Sequence, residues 1–248
     1  MDPGRNLALV PSLARCSQML TFYYHPTPNP SKVALLLEEL KLEYTVSPVD
    51  TSRGEQHGAA FRAINPNGKV PAIDDGGITV FDSTAILLHL ARKTGQFLGA
   101  GTAADEASLL SWLMFIGTGL GPFTGQAVHF AHYAPQPNEY AAHRYTFEAE
   151  RHWDLINDRL ATRRYMLGDD YSIVDMSLWG WCRGLLYLMG DAAWVRFPHV
   201  GRLYDEINAR PAAERVEALR SQYTFKAELD EETRVSLFPH GQPPALRA

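Results

Sequence analysis

The sequence predicts a small α/β domain followed by an all-helical domain. Three observations point to this. Strand and helix signals alternate through residues 19–95, helical periodicity is the only pattern after residue 104, and the glycine-bearing stretch 99–102 separates the two regimes.

Taken in order, residues 20–24 form a short aromatic-rich strand, and a turn rich in proline, threonine and asparagine follows. Val33, Leu36, Leu37 and Leu40 then recur at helical spacing, which leaves Lys32, Glu38, Glu39 and Lys41 facing water. Residues 44–49 read as a second strand, and residues 59–64 as a short helix. Asn65-Pro66-Asn67-Gly68 is a strong turn signal. Residues 71–73 and 78–81 read as strands joined by the Asp75-Gly76-Gly77 hairpin turn, and Ser83 opens a helix with Ile86, Leu87 and Leu90 on its apolar face. In the second half, Leu109, Trp112, Leu113 and Ile116 form one stripe, and Phe147, Trp153, Ile156 and Leu160 another. Ser172-Ile173-Val174-Asp175 has the spacing of a capping box, with Tyr171 and Met176 placed as its staple. This divides the chain into an arm at 1–18, an α/β domain at 19–95, a helical domain at 104–223 and a tail at 224–248 whose pattern dissolves.

Composition narrows the function classes. An apolar fraction of 46%, a charged fraction of 21% and a net charge of −5, with basic residues scattered, argue for a globular protein without affinity for nucleic acid. No uninterrupted apolar run approaches the roughly 20 residues of a membrane span, and the 7–10 patch is broken before it becomes a signal core; a cytoplasmic protein without membrane partners is expected. Cys16 and Cys182 are distant and lack Cys-x-x-Cys spacing, which argues against a disulfide scaffold, a zinc site or a dithiol centre.

Three local features can carry chemistry. Pro26-Thr27-Pro28-Asn29-Pro30-Ser31 lies between a strand end and a helix start, where unpaired N–H groups and the helix dipole favour an anion. Plain capping accounts for it equally well. Lys69-Val70-Pro71 begins a strand and suits either a cis or an ordinary trans proline. Asp82-Ser83 enters a helix. Ser83 can serve a carboxylate and Asp82 an ammonium, although capping is again natural.

The order of these features resembles a known family. Residues 22–29 (Phe-Tyr-Tyr-His-Pro-Thr-Pro-Asn), 35–39 (Leu-Leu-Leu-Glu-Glu), 65–73 (Asn-Pro-Asn-Gly-Lys-Val-Pro-Ala-Ile) and 81–88 (Phe-Asp-Ser-Thr-Ala-Ile-Leu-Leu) resemble the thioredoxin-like half of a glutathione transferase. Gly119-Leu120-Gly121-Pro122, Gly125-Gln126, His129-Phe130, Arg144-Tyr145 and the 172–175 box resemble its helical half, with the bacterial Nu class, glutathione-dependent disulfide-bond reductases, the nearest. The resemblance covers roughly residues 19–222. It implies the glutathione-transferase fold, glutathione (reduced or as its disulfide) as co-substrate, no metal, and a homodimer. It further implies that Thr27 and Asn29 hold the glutathione sulfur, that Val70, before a cis Pro71, pairs its backbone with the cysteinyl unit, and that Lys69 and Pro71 belong to the glutathione-binding set. Asp82 and Ser83 would bind the γ-glutamyl head, Gln56 would contact the glycine end, and Arg144 would neutralise a carboxylate. A non-catalytic glutathione-binding regulator on the same scaffold is the alternative.

Two positions depart from the family pattern. Asp82 stands where glutamate is frequent, and Pro30 where glycine is frequent; Pro30 removes one backbone N–H from the loop. Tyr23 and Tyr24 alternate faces, one as core, with a sulfur contact from Tyr24 left open. His129 and His132 suit packing or a pocket wall better than a metal. Trp112, Phe115, Phe123 and Tyr133 are candidates for a second-substrate pocket or for core, and Cys182 reads as inert packing.

Overall fold

The computed structural model describes residues 19–239. The expected arm at 1–18 and the last residues of the tail lie outside them. Strand β1 (Leu20–Tyr24) leads to helix α1 (Pro28–Leu40) and strand β2 (Tyr44–Pro48); two 3₁₀ turns at residues 51–57 and helix α2 (Ala59–Ile64) follow. Strands β3 (Ala72–Asp75) and β4 (Ile78–Phe81) form the hairpin, and helix α3 (Ser83–Thr94) closes the unit. The sheet order is β2-β1-β3-β4, with β1 parallel to β2 and antiparallel to β3. The hairpin turn places Gly76 and Gly77 at φ 64° and 89°, a left-handed pair that glycine adopts without steric cost.

The second half is helical. It comprises α4 (Ala103–Phe115), α5 (Gly121–Val128), α6 (Glu139–Leu160), α7 (Ile173–Met189), α8 (Ala192–Arg196), α9 (Pro198–Asn208), α10 (Pro211–Gln222) and α11 (Glu231–Leu237). Helix α5 is flanked by single π-helical segments at Ile116–Leu120 and His129–Tyr133, so that residues 103–133 form one continuous helical run. By length and composition alone this run is long and apolar enough to cross a membrane, because residues 107–133 hold no Asp, Glu, Lys or Arg, a test that the core helix of a globular protein passes as well. In the fold its face at Leu109, Leu113, Ile116, Leu120 and Ala127 is buried against protein.

One apolar core runs through both halves. Phe22, Leu36 and Ile86 from the sheet side join Trp153, Trp179 and Phe197 from the helical side. Its seam is α1 against α7, the most extensive helix pairing in the molecule. Gly180 makes the approach possible, since a Cβ there would lie 2.4 Å from Lys32 Cγ and 2.6 Å from the Pro28 carbonyl oxygen.

The capping box forms as its spacing predicts. Asp175 is fully buried and accepts from the Met166 N–H (2.7 Å), the Ser172 N–H (2.9 Å) and the Ser172 hydroxyl (2.9 Å), while Val174 N–H donates to Ser172 Oγ. Burial pushes its carboxyl up to about 6, against the pull of these bonds.

Several sequence expectations are corrected. Lys32 does not face water: it is 1% exposed, because the α1 face carrying it lies against α7. Phe147 is 62% exposed and does not belong to the buried stripe of α6. Helix α1 starts at Pro28 with Thr27 as N-cap, so Ser31 sits inside the first turn and its hydroxyl donates to the Thr27 carbonyl (2.9 Å). Through residue 239 the tail keeps regular structure and packs on the fold. Phe225 packs on His25 and Tyr24, and α11 is capped by Asp230, which accepts from Thr233 N–H.

Candidate functional site

A cleft of about 710 Å³ opens where the N-termini of α1 and α3 meet α5, α7 and the tail. Its walls include Asn29, Lys32, Lys69, Asp82 and Ser83 on one side and Gly121, Gln126, His129 and Trp181 on the other, with Leu237, Phe238 and Pro239 across one end.

The loop before α1 is built tightly. Thr27 N–H donates to the His25 carbonyl (2.7 Å), while the His25 ring sits 3.1 Å from the Val49 carbonyl. Thr27 is extended at φ −112°, and its hydroxyl makes no capping bond. Pro28 and Pro30 carry no N–H, and that of Ser31 goes to the Thr27 carbonyl. The first turn can therefore offer a ligand at most the Asn29 N–H, and side-chain donors must supply the rest. Asn29 turns its amide oxygen to the Ser83 hydroxyl (3.3 Å), which leaves its NH₂ group to donate elsewhere.

Asp82 is the N-cap of α3, held at the unusual φ of 72°. Its Oδ1 takes both capping bonds, from Thr84 N–H (2.8 Å) and Ala85 N–H (3.2 Å). The capping reading and the ligand reading are thus compatible, since the second carboxylate oxygen takes neither bond. Ser83 Oγ also lies 3.4 Å from Lys32 Nζ.

Lys32 is the group that sequence reasoning misplaced. Among the described residues no carboxylate lies within ion-pair distance of Nζ, and the Trp181 ring centre stands 5.3 Å away. Burial lowers the amine from its usual 10.5 to about 7, with Asp82 pulling it partly back up. Nothing local marks Lys32 as buried. The signal is Gly180, far along the chain, and Gly121, where a Cβ would fall 2.6 Å from Trp181 Nε1.

The Val70-Pro71 bond is cis, one of the two forms its sequence allows. The Asn65 amide donates to the Lys69 carbonyl (2.6 Å) and so positions the approach to it. Val70 lies just outside the ladder, which begins at Ala72.

Thr27, Val70 and Pro71 adjoin the cleft through Asn29 and Lys69 without being among its walls, and two other expected residues stand apart from it. Gln56 is buried, and its amide nitrogen donates to the Thr51 (3.2 Å) and Ser236 (3.1 Å) carbonyls, so it holds the tail. Arg144 pairs with Glu148 (3.0 Å) on α6. Tyr24 is core: it packs on Phe22, and burial pushes its phenol up to about 12. Tyr23 packs against Phe61. Trp112, Phe115, Phe123 and Tyr133 do not line the cleft. Phe115 and Phe123 stack around His152 instead, because α5 turns its glycine face to the cleft. His129 is a cleft wall, whereas His132 packs on Tyr187. Burial pushes the Cys182 thiol well up, which makes it a poor nucleophile. Among the described residues no cluster could hold a metal ion.

The family profiles described as glutathione S-transferase, N-terminal domain, and glutathione S-transferase, C-terminal domain, match residues 27–93 and 140–206. The disulfide-bond oxidoreductase YfcG of Escherichia coli is 39% identical over 86% of this chain and 98% of its own. A second E. coli protein, disulfide-bond oxidoreductase YghU, is 38% identical over 79% of this chain and 73% of its own. A solved glutathione transferase from Burkholderia graminis, with two glutathione molecules bound per subunit, superposes with a TM-score of 0.76 at 36% identity. It covers 80% of this chain and 87% of that one. With matched domains, a shared fold and a relative matched over 98% of its length agreeing, the chain belongs to the glutathione S-transferase family.

Proposed function

We propose that the protein is a glutathione-dependent disulfide-bond reductase whose cleft activates the glutathione thiol with Thr27 and Asn29. The observation that carries this is the pair of uncommitted donors, the Thr27 hydroxyl and the Asn29 NH₂, at the N-terminus of α1. The names of the relatives point the same way.

The energetics are adequate. A thiol of pKa near 8.5 is only a few per cent thiolate at pH 7, and lowering it by about 2 units takes roughly 2.7 kcal/mol. A hydrogen bond to a charged sulfur supplies about 1.5–3 kcal/mol, and two donors suffice without a full set of helix N–H groups. The thiolate then attacks one sulfur of a disulfide. A glutathione mixed disulfide forms, the other sulfur leaves as thiolate and takes a proton, and a second glutathione thiolate resolves the mixed disulfide. The same thiolate can attack a peroxide or an electrophilic carbon.

In this reading Asp82 and Ser83 face the γ-glutamyl head, Val70 faces the cysteinyl unit, and Lys69 is a wall of the glutathione cleft. Gln56 and Arg144 do not line the cleft in this conformation, where Gln56 Nε2 is bonded to the carbonyl of residue 236 and Arg144 Nη1 to Glu148. The reading includes a cytoplasmic homodimer, which would cover apolar surface such as Ile78 and Phe81 on β4.

Thr27→Ala and Asn29→Ala should each lose most turnover of a small disulfide by glutathione, by about 10-fold or more, with unchanged unfolding midpoints. Unaltered turnover in both would refute the assignment. Glutathione binding without reduction of a disulfide or conjugation of an aryl halide would mark the chain as a non-catalytic binder.

A further inference from the structure

Lys32 packs its stem into the seam of the fold, but three features of its amine point to the cleft. Its stem is sandwiched between α1 and α7 at Gly180, yet its amine opens on the cleft. Its one hydrogen bond is to Ser83 Oγ (3.4 Å), a hydroxyl that also reaches Asn29 (3.3 Å). No carboxylate pairs with it among the described residues. A buried ammonium is costly without a counter-ion, so a fold that keeps one beside two converging helix N-termini has built an anion site.

We propose that Lys32 is the counter-charge for the head-group carboxylate of glutathione, and that its amine gains a proton in the act of binding. The inference rests on the glutathione reading above. Asp82 at the start of α3, Lys69 before β3 and His129 beyond α5 line the same cleft as the amine. Helix α7 presents the Trp181 ring, while its Arg183 is paired with Glu217 of α10. Of these, Asp82 is the charge that acts on Lys32, in the direction that favours the ammonium. With the amine near 7, about half the molecules carry the charge at neutral pH and about a tenth at pH 8. An arriving carboxylate selects the charged form and draws a proton from solvent to Nζ.

The test uses S-methylglutathione, which keeps the carboxylates and has no thiol proton. Calorimetric titration of the full chain in buffers of different ionisation enthalpy counts the protons taken up. At pH 8 the wild type should take up most of one proton per ligand, and its affinity should fall about five-fold from pH 7 to 8 and by nearly ten-fold for the next unit. Lys32→Met should show weakened binding and lose that uptake. Lys32→Arg, always charged, should bind with affinity independent of Lys32-type titration and take up none. Equal proton uptake in wild type and Lys32→Arg would overturn the proposal. Absence of binding of glutathione and S-methylglutathione to the wild type would instead overturn the glutathione reading itself.

Discussion

Asp175 and Lys32 are both buried ionisable groups moved toward neutrality by burial, and the fold treats them in opposite ways. Asp175 receives three donors at 2.7–2.9 Å, all from its own neighbourhood. Lys32 receives one long contact and faces a cleft. A buried charge whose bonds are all met within the chain joins elements together. One whose bonds are left open makes room for another molecule.

The sharpest way to break this contrast is Asp175→Ala. It strips three buried donors of their acceptor and should destabilise by roughly 3–5 kcal/mol, read from the denaturant midpoint. A loss under about 1 kcal/mol would mean the box is ornamental. Gly180→Ala is next. Its methyl would meet the Pro28 carbonyl, which cannot swing aside, so about 1–3 kcal/mol should be lost together with ligand affinity. Stability without ligand sharpens the Lys32 side. Its folded value near 7 lies below the unfolded 10.5, so the unfolded chain binds more protons between these limits. Wild-type stability should therefore rise with pH by about 1 kcal/mol per unit from 7 towards 10 relative to Lys32→Met. The advantage of the methionine variant, greatest below pH 7, should shrink across that window. Parallel curves would show that Lys32 is not held neutral by the fold.

The difference between the two groups also explains what could be read in advance. The Ser172–Asp175 box is a local pattern whose donors and acceptors lie within a turn of one another, so spacing alone reveals it. The strands, the hairpin turn and α3 were legible for the same reason. Lys32 was misread because its helix has apolar residues on more than one face, and only contact with Gly180 decides which side is inside. Gln56 and the tail were illegible together, since the hydrogen bond that joins them spans about 180 residues. Among the expected ligand residues, Asn29, Lys69, Asp82 and Ser83 do converge on one cleft, and Thr27 and Val70 adjoin it through the chain.

The hold on the C-terminal segment has a consequence of its own. Gln56 Nε2 and the His57 ring both reach the carbonyl of residue 236, at 3.1 and 2.9 Å. A main-chain oxygen is the same for every amino acid, so this clasp recognises where the chain passes rather than what it carries there. Mutational drift should spare the spacing between Phe225 and residue 236 and be free with much of the wording. Inserting a single residue into that interval should disturb the mouth of the cleft more than most replacements within it.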